Sequence, residues 1–248
     1  MIRHIASSIP AKGRRAAFLL LSVCACTRAE PTRVLFIGNS YTFTNDMPAM
    51  LTELSRAGGH LVVTRTAAEG GTTLGAHVRN PATRRALDSL RWDHVVLQEQ
   101  SQIPSVEPSR SVAMFPAVRE LVGRVRTNGA APLLFVTWAH RDGWPENGLA
   151  DAAAMQAAID TGYATIGREL SVARAGVGDA WMHLQSEHPE IALWSPDGSH
   201  PTVAGSYLAA CVFYVAIFHE KALGLPAIRG LDPAAARVIR AEADRTHH

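Results

Sequence analysis

The sequence predicts a single α/β domain of three layers, a parallel sheet of about five strands between two layers of helices. Three observations predict it. Short runs rich in β-branched residues alternate along the chain with longer segments of helical pattern. The run at 93–98 carries Val95-Val96-Leu97 in succession, which suits a strand covered on both faces. The chain has 248 residues, enough for one sizeable core and not clearly for two.

Residues 1–25 read as an export signal, 26–32 as a linker and 33–248 as the domain. A basic region ends at Arg14-Arg15, and the apolar stretch 16–23 is too short to span a bilayer. Val23-Cys24-Ala25-Cys26 resembles a bacterial lipobox with Cys26 as the lipidated residue; an ordinary signal cut near Ala29 is the alternative. The expected location is the periplasm or outer membrane as a lipoprotein, or the medium, with membrane attachment through Cys26. Arg3, Lys12, Arg14 and Arg15 precede the cleavage point, so removing four positive charges from a net +2 leaves −2. A mildly acidic chain without a block of like charges gives no reason to expect a nucleic-acid partner. Cys211 lies in an apolar helical stretch and is expected to be buried packing.

The elements follow in order. An apolar run from Arg33 ends at Gly38-Asn39-Ser40, a strand, a tight turn and the start of a helix. A helix is expected over 46–58, with Asp46 as its cap, Pro48 in its first turn and Gly58-Gly59 as its stop. Strand two is placed at 60–66, a helix at 76–91 and strand three at 93–98. Gln98, Glu99, Gln100 and Ser101 then stand where open α/β sheets bind ligands. Further expectations are a helix over 111–127, strand four over 132–138, a helix over 150–170, strand five over 172–179 and a helical turn at 181–187. The apolar stretch 203–222 reads as a core-covering helix, and 232–245 as a peripheral one. Trp138, His140 and Trp194 sit near predicted strand or loop ends, as a structural loop or as a substrate-facing wall.

Two stretches carry chemistry. Ser40 on its turn has an exposed hydroxyl and is placed to attack a carbonyl. Asp197 and His200, three apart on the turn-rich loop 195–201, are placed to orient an imidazole and to let it take the Ser40 proton. Either stretch alone is a common turn; the two together point to a serine hydrolase.

These residues resemble the SGNH hydrolases, the GDSL-type lipases and esterases. Gly38-Asn39-Ser40 stands where that family has Gly-Asp-Ser. Asp197-Gly198-Ser199-His200-Pro201 fits its Asp-x-x-His block, with Gly205 beyond. Glu69-Gly70-Gly71-Thr72 falls where the family places an oxyanion-hole glycine, here Gly71. The family's Gly-x-Asn-Asp reads Gln98-Glu99-Gln100-Ser101, which departs from the pattern and puts Gln100 on the asparagine position, with Gln98 as the competitor. The resemblance, over roughly residues 33–220, implies a flavodoxin-like sheet. It also implies hydrolysis of a carboxylic ester, with Ser40, Gly71 and Gln100 holding the oxyanion and no cofactor. Asn39, Gln98, Trp138, His140 and Trp194 are expected near the substrate. A carbohydrate O-acetyl ester is the favoured substrate class. A non-catalytic glycan-binding module, and a thioesterase or acyltransferase with the same three residues, are the alternatives. A metal site is not expected: His183 and His188 are five apart, and His140 with Asp142 lacks a third ligand.

Overall fold

The computed structural model describes residues 1–2, 30–228 and 230–246. Residues 3–29, which hold all but the first two residues of the expected export signal, Cys26 and most of the expected linker, lie outside the described residues.

A five-stranded, all-parallel sheet forms the middle layer, from β1 (Thr32–Gly38), β2 (Val62–Ala68), β3 (His94–Leu97), β4 (Ala131–Phe135) and β5 (Ala173–Ala175). The strand order is β2-β1-β3-β4-β5, the flavodoxin-like arrangement. The helices are α1 (Ser40–Phe43), α2 (Met47–Ala57), α3 (Leu74–Arg79), α4 (Pro81–Asp88), α5 (Phe115–Thr127), α6 (Ala152–Leu170), α7 (Val177–Glu187), α8 (Val203–Phe218) and α9 (Pro233–Arg245).

Alternation along β1 divides the core. Val34 and Phe36 face one layer, packed with residues of α2, α7, α8 and α9; Leu35 and Ile37 face the other, with α3, α4, α5 and α6. All four side chains are fully buried. α8 is buried on nearly every side, and Cys211 lies within it. Among the described residues no helix is long and apolar enough to cross a membrane.

Several expected elements shift. The helix foreseen at 76–91 is two helices: Asn80 is extended and caps α4 by accepting the Ala82 N–H, and Pro81 opens that helix. Strand five ends at Ala175, and the residues expected to extend it begin α7. Val177, Ala180, Trp181 and Leu184 are all buried, and that helical spacing prevails over the β-branched start. α5 is entered through a π-helical turn, Arg110–Met114. Asp46 does not cap α2 with its side chain; it sits at φ 53 and follows Asn45, also left-handed at φ 57. The last strand residues of the 132–138 run lie beyond the sheet, and α8 ends at Phe218.

Reversal of the connections on either side of β1 and β3 leaves a crevice at their C-terminal ends. Ser40 follows β1 and Gln100 follows β3 into that crevice.

Candidate active site

Ser40 stands one residue beyond an extended Asn39 (φ −140), which caps α1 by accepting the Tyr41 N–H on its Oδ1. The turn is braced from below. Gln98 Oε1 accepts both the Asn39 N–H at 2.8 Å and the Thr42 hydroxyl at 3.0 Å. Gly38 makes room for this: a Cβ there would lie 2.4 Å from Gln98 Oε1. Buried His77 holds the Gly38 carbonyl through Nε2 at 2.8 Å and meets Thr83 Oγ1 through Nδ1 at 2.7 Å. The carbonyl only accepts, so Nε2 carries the proton; burial pushes this ring below its ordinary titration range.

The second half of the site comes from the loop before α8. Asp197 Oδ1 accepts the N–H groups of Ser199 and His200, both at 2.9 Å. Its Oδ2 lies 2.7 Å from His200 Nδ1. The Ser199 N–H above all, then the His200 N–H and imidazole, hold the Asp197 carboxyl down to about 2. The carboxylate therefore accepts, and Nδ1–H donates. In the neutral ring the other nitrogen, Nε2, is bare, and it faces Ser40 Oγ at 2.9 Å. An imidazole held this way can take the serine proton and later return it.

The loop is itself anchored. Gly198 accepts the Arg141 N–H at 2.8 Å, Trp138 Nε1 donates to the Ser199 carbonyl at 2.9 Å, and Trp194 Nε1 donates to the Ala139 carbonyl at 2.9 Å. Asn45 Nδ2 donates to the Pro201 carbonyl at 3.1 Å and to Ser206 Oγ at 3.0 Å, joining the Ser40 segment to the His200 loop.

Ser40 and His200 open onto a cavity of about 330 Å³ whose walls include Gly70, Gly71, Gln100 and Ser101. Gly71 sits at φ +68, where a side chain would be strained. Asn39 Nδ2 donates to the Thr72 carbonyl at 3.0 Å and so ties the glycine loop to the serine turn. Gln100 Oε1 accepts from Gln102 N at 2.9 Å and Ile103 N at 3.3 Å, which fixes the amide; its Nε2 has Gln102 Oε1 at 3.4 Å. The structure thus brings Ser40, Gly71, Gln100, Asp197 and His200 together.

Three expected substrate contacts are corrected. Gln98 is fully buried beneath the serine turn, where its carbonyl oxygen is taken by the Asn39 N–H and the Thr42 hydroxyl. Trp138 is fully buried, stacked between Tyr41 (centroids 4.4 Å apart) and Trp181 (4.2 Å). Trp194 is half-buried with its ring against Trp181 at 66°, and neither indole is among the walls of the cavity at Ser40. Asn39 lines the cavity, but both ends of its amide are engaged internally. His140 reaches the cavity through Ser101, whose Oγ lies 3.0 Å from its Nε2, and burial pushes its ring down.

Sequence reasoning passed over Tyr41. It stacks on Trp138, meets His200 edge-on (5.8 Å, 70°) and pairs with Ser199 Oγ at 2.7 Å, and burial pushes its hydroxyl up to about 12. Its place beside Ser40 was the available signal. Among the described residues no cluster of metal-ligating side chains occurs.

No protein-family model matches the sequence, and no curated protein matches it. Solved structures do. A protein from Slackia heliotrinireducens assigned to the SGNH hydrolases is 30% identical, with 76% of this chain and 100% of that chain covered and a TM-score of 0.65. A DUF4886 family protein from Bacteroides uniformis is 20% identical over 87% of this chain and 94% of that chain, with a TM-score of 0.76. An acetyl-xylooligosaccharide esterase from Geobacillus stearmophilus shares the fold at 17% identity, covering 76% and 95% of the two chains with a TM-score of 0.57. Identity at that level over the whole of the Slackia protein places this chain among the SGNH hydrolases, the superfamily of the GDSL-type esterases and lipases.

Proposed function

We propose that this hydrolase is a serine esterase acting on short-chain carboxylic esters, the acetyl ester of a carbohydrate being the first class to test. The observation that carries the reading is the unbroken hydrogen-bonded chain Ser40 Oγ, His200 and Asp197, at 2.9 and 2.7 Å. Ser40 attacks the acyl carbonyl while His200 Nε2 takes its proton, and Asp197 steadies the imidazolium. The N–H groups of Ser40 and Gly71 and the Gln100 amide receive the negative charge on the carbonyl oxygen. His200 then protonates the departing alcohol, and water attacks the acyl-serine by the same base.

Cavity chemistry favours a small acyl group. The walls are glycine, serine and amide groups, with Tyr41 as the large ring. A long chain would draw its binding from buried apolar surface, at roughly 25 cal/mol per Å², and these walls offer little of it. The basic and apolar layout of residues 1–25 supports export, with Cys26 as the lipid acceptor, so we propose action outside the cytoplasm. A panel of acetyl, butyryl and long-chain esters beside acetylated polysaccharides tests the reading, with Ser40→Ala as control. Acetyl turnover that vanishes in Ser40→Ala is expected; preferred long-chain turnover contradicts the acyl assignment, and turnover that survives in Ser40→Ala contradicts the mechanism.

A further inference from the structure

The three groups assigned to the oxyanion stand on three separate segments, after β1, β2 and β3. Donors on separate loops stabilise a developing charge only if their spacing is fixed before reaction. Asn39 fixes one spacing by holding Thr72 to the serine turn. We infer that Glu99 fixes the other: it is a positioning residue that locks the Gly71 loop to Gln100. This rests on the esterase reading above.

Glu99 is fully buried at the end of β3. One carboxylate oxygen, Oε1, accepts the Gln100 N–H at 2.7 Å and the Leu74 N–H at 3.0 Å. Leu74 opens α3, three residues beyond Gly71, and Gln100 is itself the third donor. A single atom therefore holds both strand-end segments to one point. Its own backbone is fixed on both sides, the N–H donating to Tyr163 Oη at 3.2 Å and the carbonyl accepting from Gln98 Nε2 at 2.5 Å. The second oxygen, Oε2, is buried and has no hydrogen-bond partner among the described residues. Burying a carboxyl with half its capacity unmet is costly. Packing alone would be served as well by an apolar side chain of the same length, whereas the bridge needs an acceptor.

Glu99→Met keeps the volume and removes the acceptor; Glu99→Gln keeps an acceptor oxygen. In the full-length protein with 4-nitrophenyl acetate, Glu99→Met is expected to lower kcat by about 10–10²-fold with KM little changed, since the donors are loosened rather than removed. Glu99→Gln is expected to stay within about threefold of wild type. Amide exchange at Leu74 and Gln100 should speed up in Glu99→Met and remain slow in Glu99→Gln. Equal kcat in the two variants, or unchanged exchange at both amides in Glu99→Met, overturns the inference. The exchange measurement does not depend on turnover: if wild type shows no turnover, the esterase reading has failed, and exchange still decides whether the bridge exists.

Discussion

Gln98→Ala tests how the nucleophile turn is held. The substitution removes the acceptor of two buried groups, the Asn39 N–H and the Thr42 hydroxyl, at 2.8 and 3.0 Å. Each buried donor left unpaired costs about 1–3 kcal/mol. Neither has room to turn outward, since Asn39 is 3% and Thr42 0% exposed. The expected destabilisation is about 3 kcal/mol, which in a domain of this size lowers Tm by about 6–12 °C. Activity falls as well, because the freed N–H belongs to the residue before Ser40; a displacement of the serine hydroxyl by a fraction of an ångström lowers kcat by about 10–10²-fold. Thermal unfolding followed by circular dichroism, beside ester kinetics, reads both. A variant with wild-type Tm and wild-type kcat would refute the brace: the two donors would then have other acceptors, and the turn would stand without Gln98.

Three further outcomes can be measured. Gln100→Ala should lower kcat by about 10²–10³-fold with KM little changed and lower Tm less than Gln98→Ala does, because the two N–H groups it leaves lie in a half-buried loop; steady-state kinetics with matched unfolding curves separate the two glutamines. Burial pushes the Glu99 carboxyl up to about 7 against the Gln100 and Leu74 N–H groups that pull it down, with the Tyr163 hydroxyl as its titratable neighbour. The folded chain therefore keeps a proton that the unfolded chain loses near 4.5, so this stability is present below that pH and lost as pH rises through about 7. Relative to Glu99→Gln, wild type should lose about 3 kcal/mol across the window, read as urea midpoints; a flat difference contradicts the assignment. Cys26→Ser should move the protein from the membrane to the soluble fraction, and a mature N-terminus after Ala29 without acyl mass contradicts lipidation.

Much of the architecture is legible in the sequence because its signals are local. A β-branched run ending in Gly-Asn-Ser marks β1 and its turn, and Asp-x-x-His marks the loop before α8. Boundaries were lost where two local signals compete. Val177 reads as strand, yet the buried spacing of Val177, Ala180, Trp181 and Leu184 makes it the start of α7. The helix over 76–91 divides at Asn80-Pro81, a break the residues themselves carry. Within the site, Ser40, His200, Gly71 and Gln100 share one cavity, and Asp197 pairs with His200. The misread residues are those whose role depends on depth rather than type. Gln98 and Gln100 are the same residue two apart on one strand end, and only tertiary packing sends the first beneath the serine and leaves the second in the cavity wall. Trp138 likewise stands at a strand end but points into the layer beneath Tyr41. Tryptophan is suited to both places, so its sequence position could not distinguish them.

The central claim is that Ser40 is a nucleophile activated by His200. A fluorophosphonate probe, followed by peptide mass mapping, tests it most directly. The expected result is a single covalent adduct on Ser40, lost in Ser40→Ala and slowed by a large factor in His200→Ala while both variants keep the wild-type circular dichroism. A folded wild-type protein that takes no label, or one labelled at another serine with Ser40 unmodified, would contradict it.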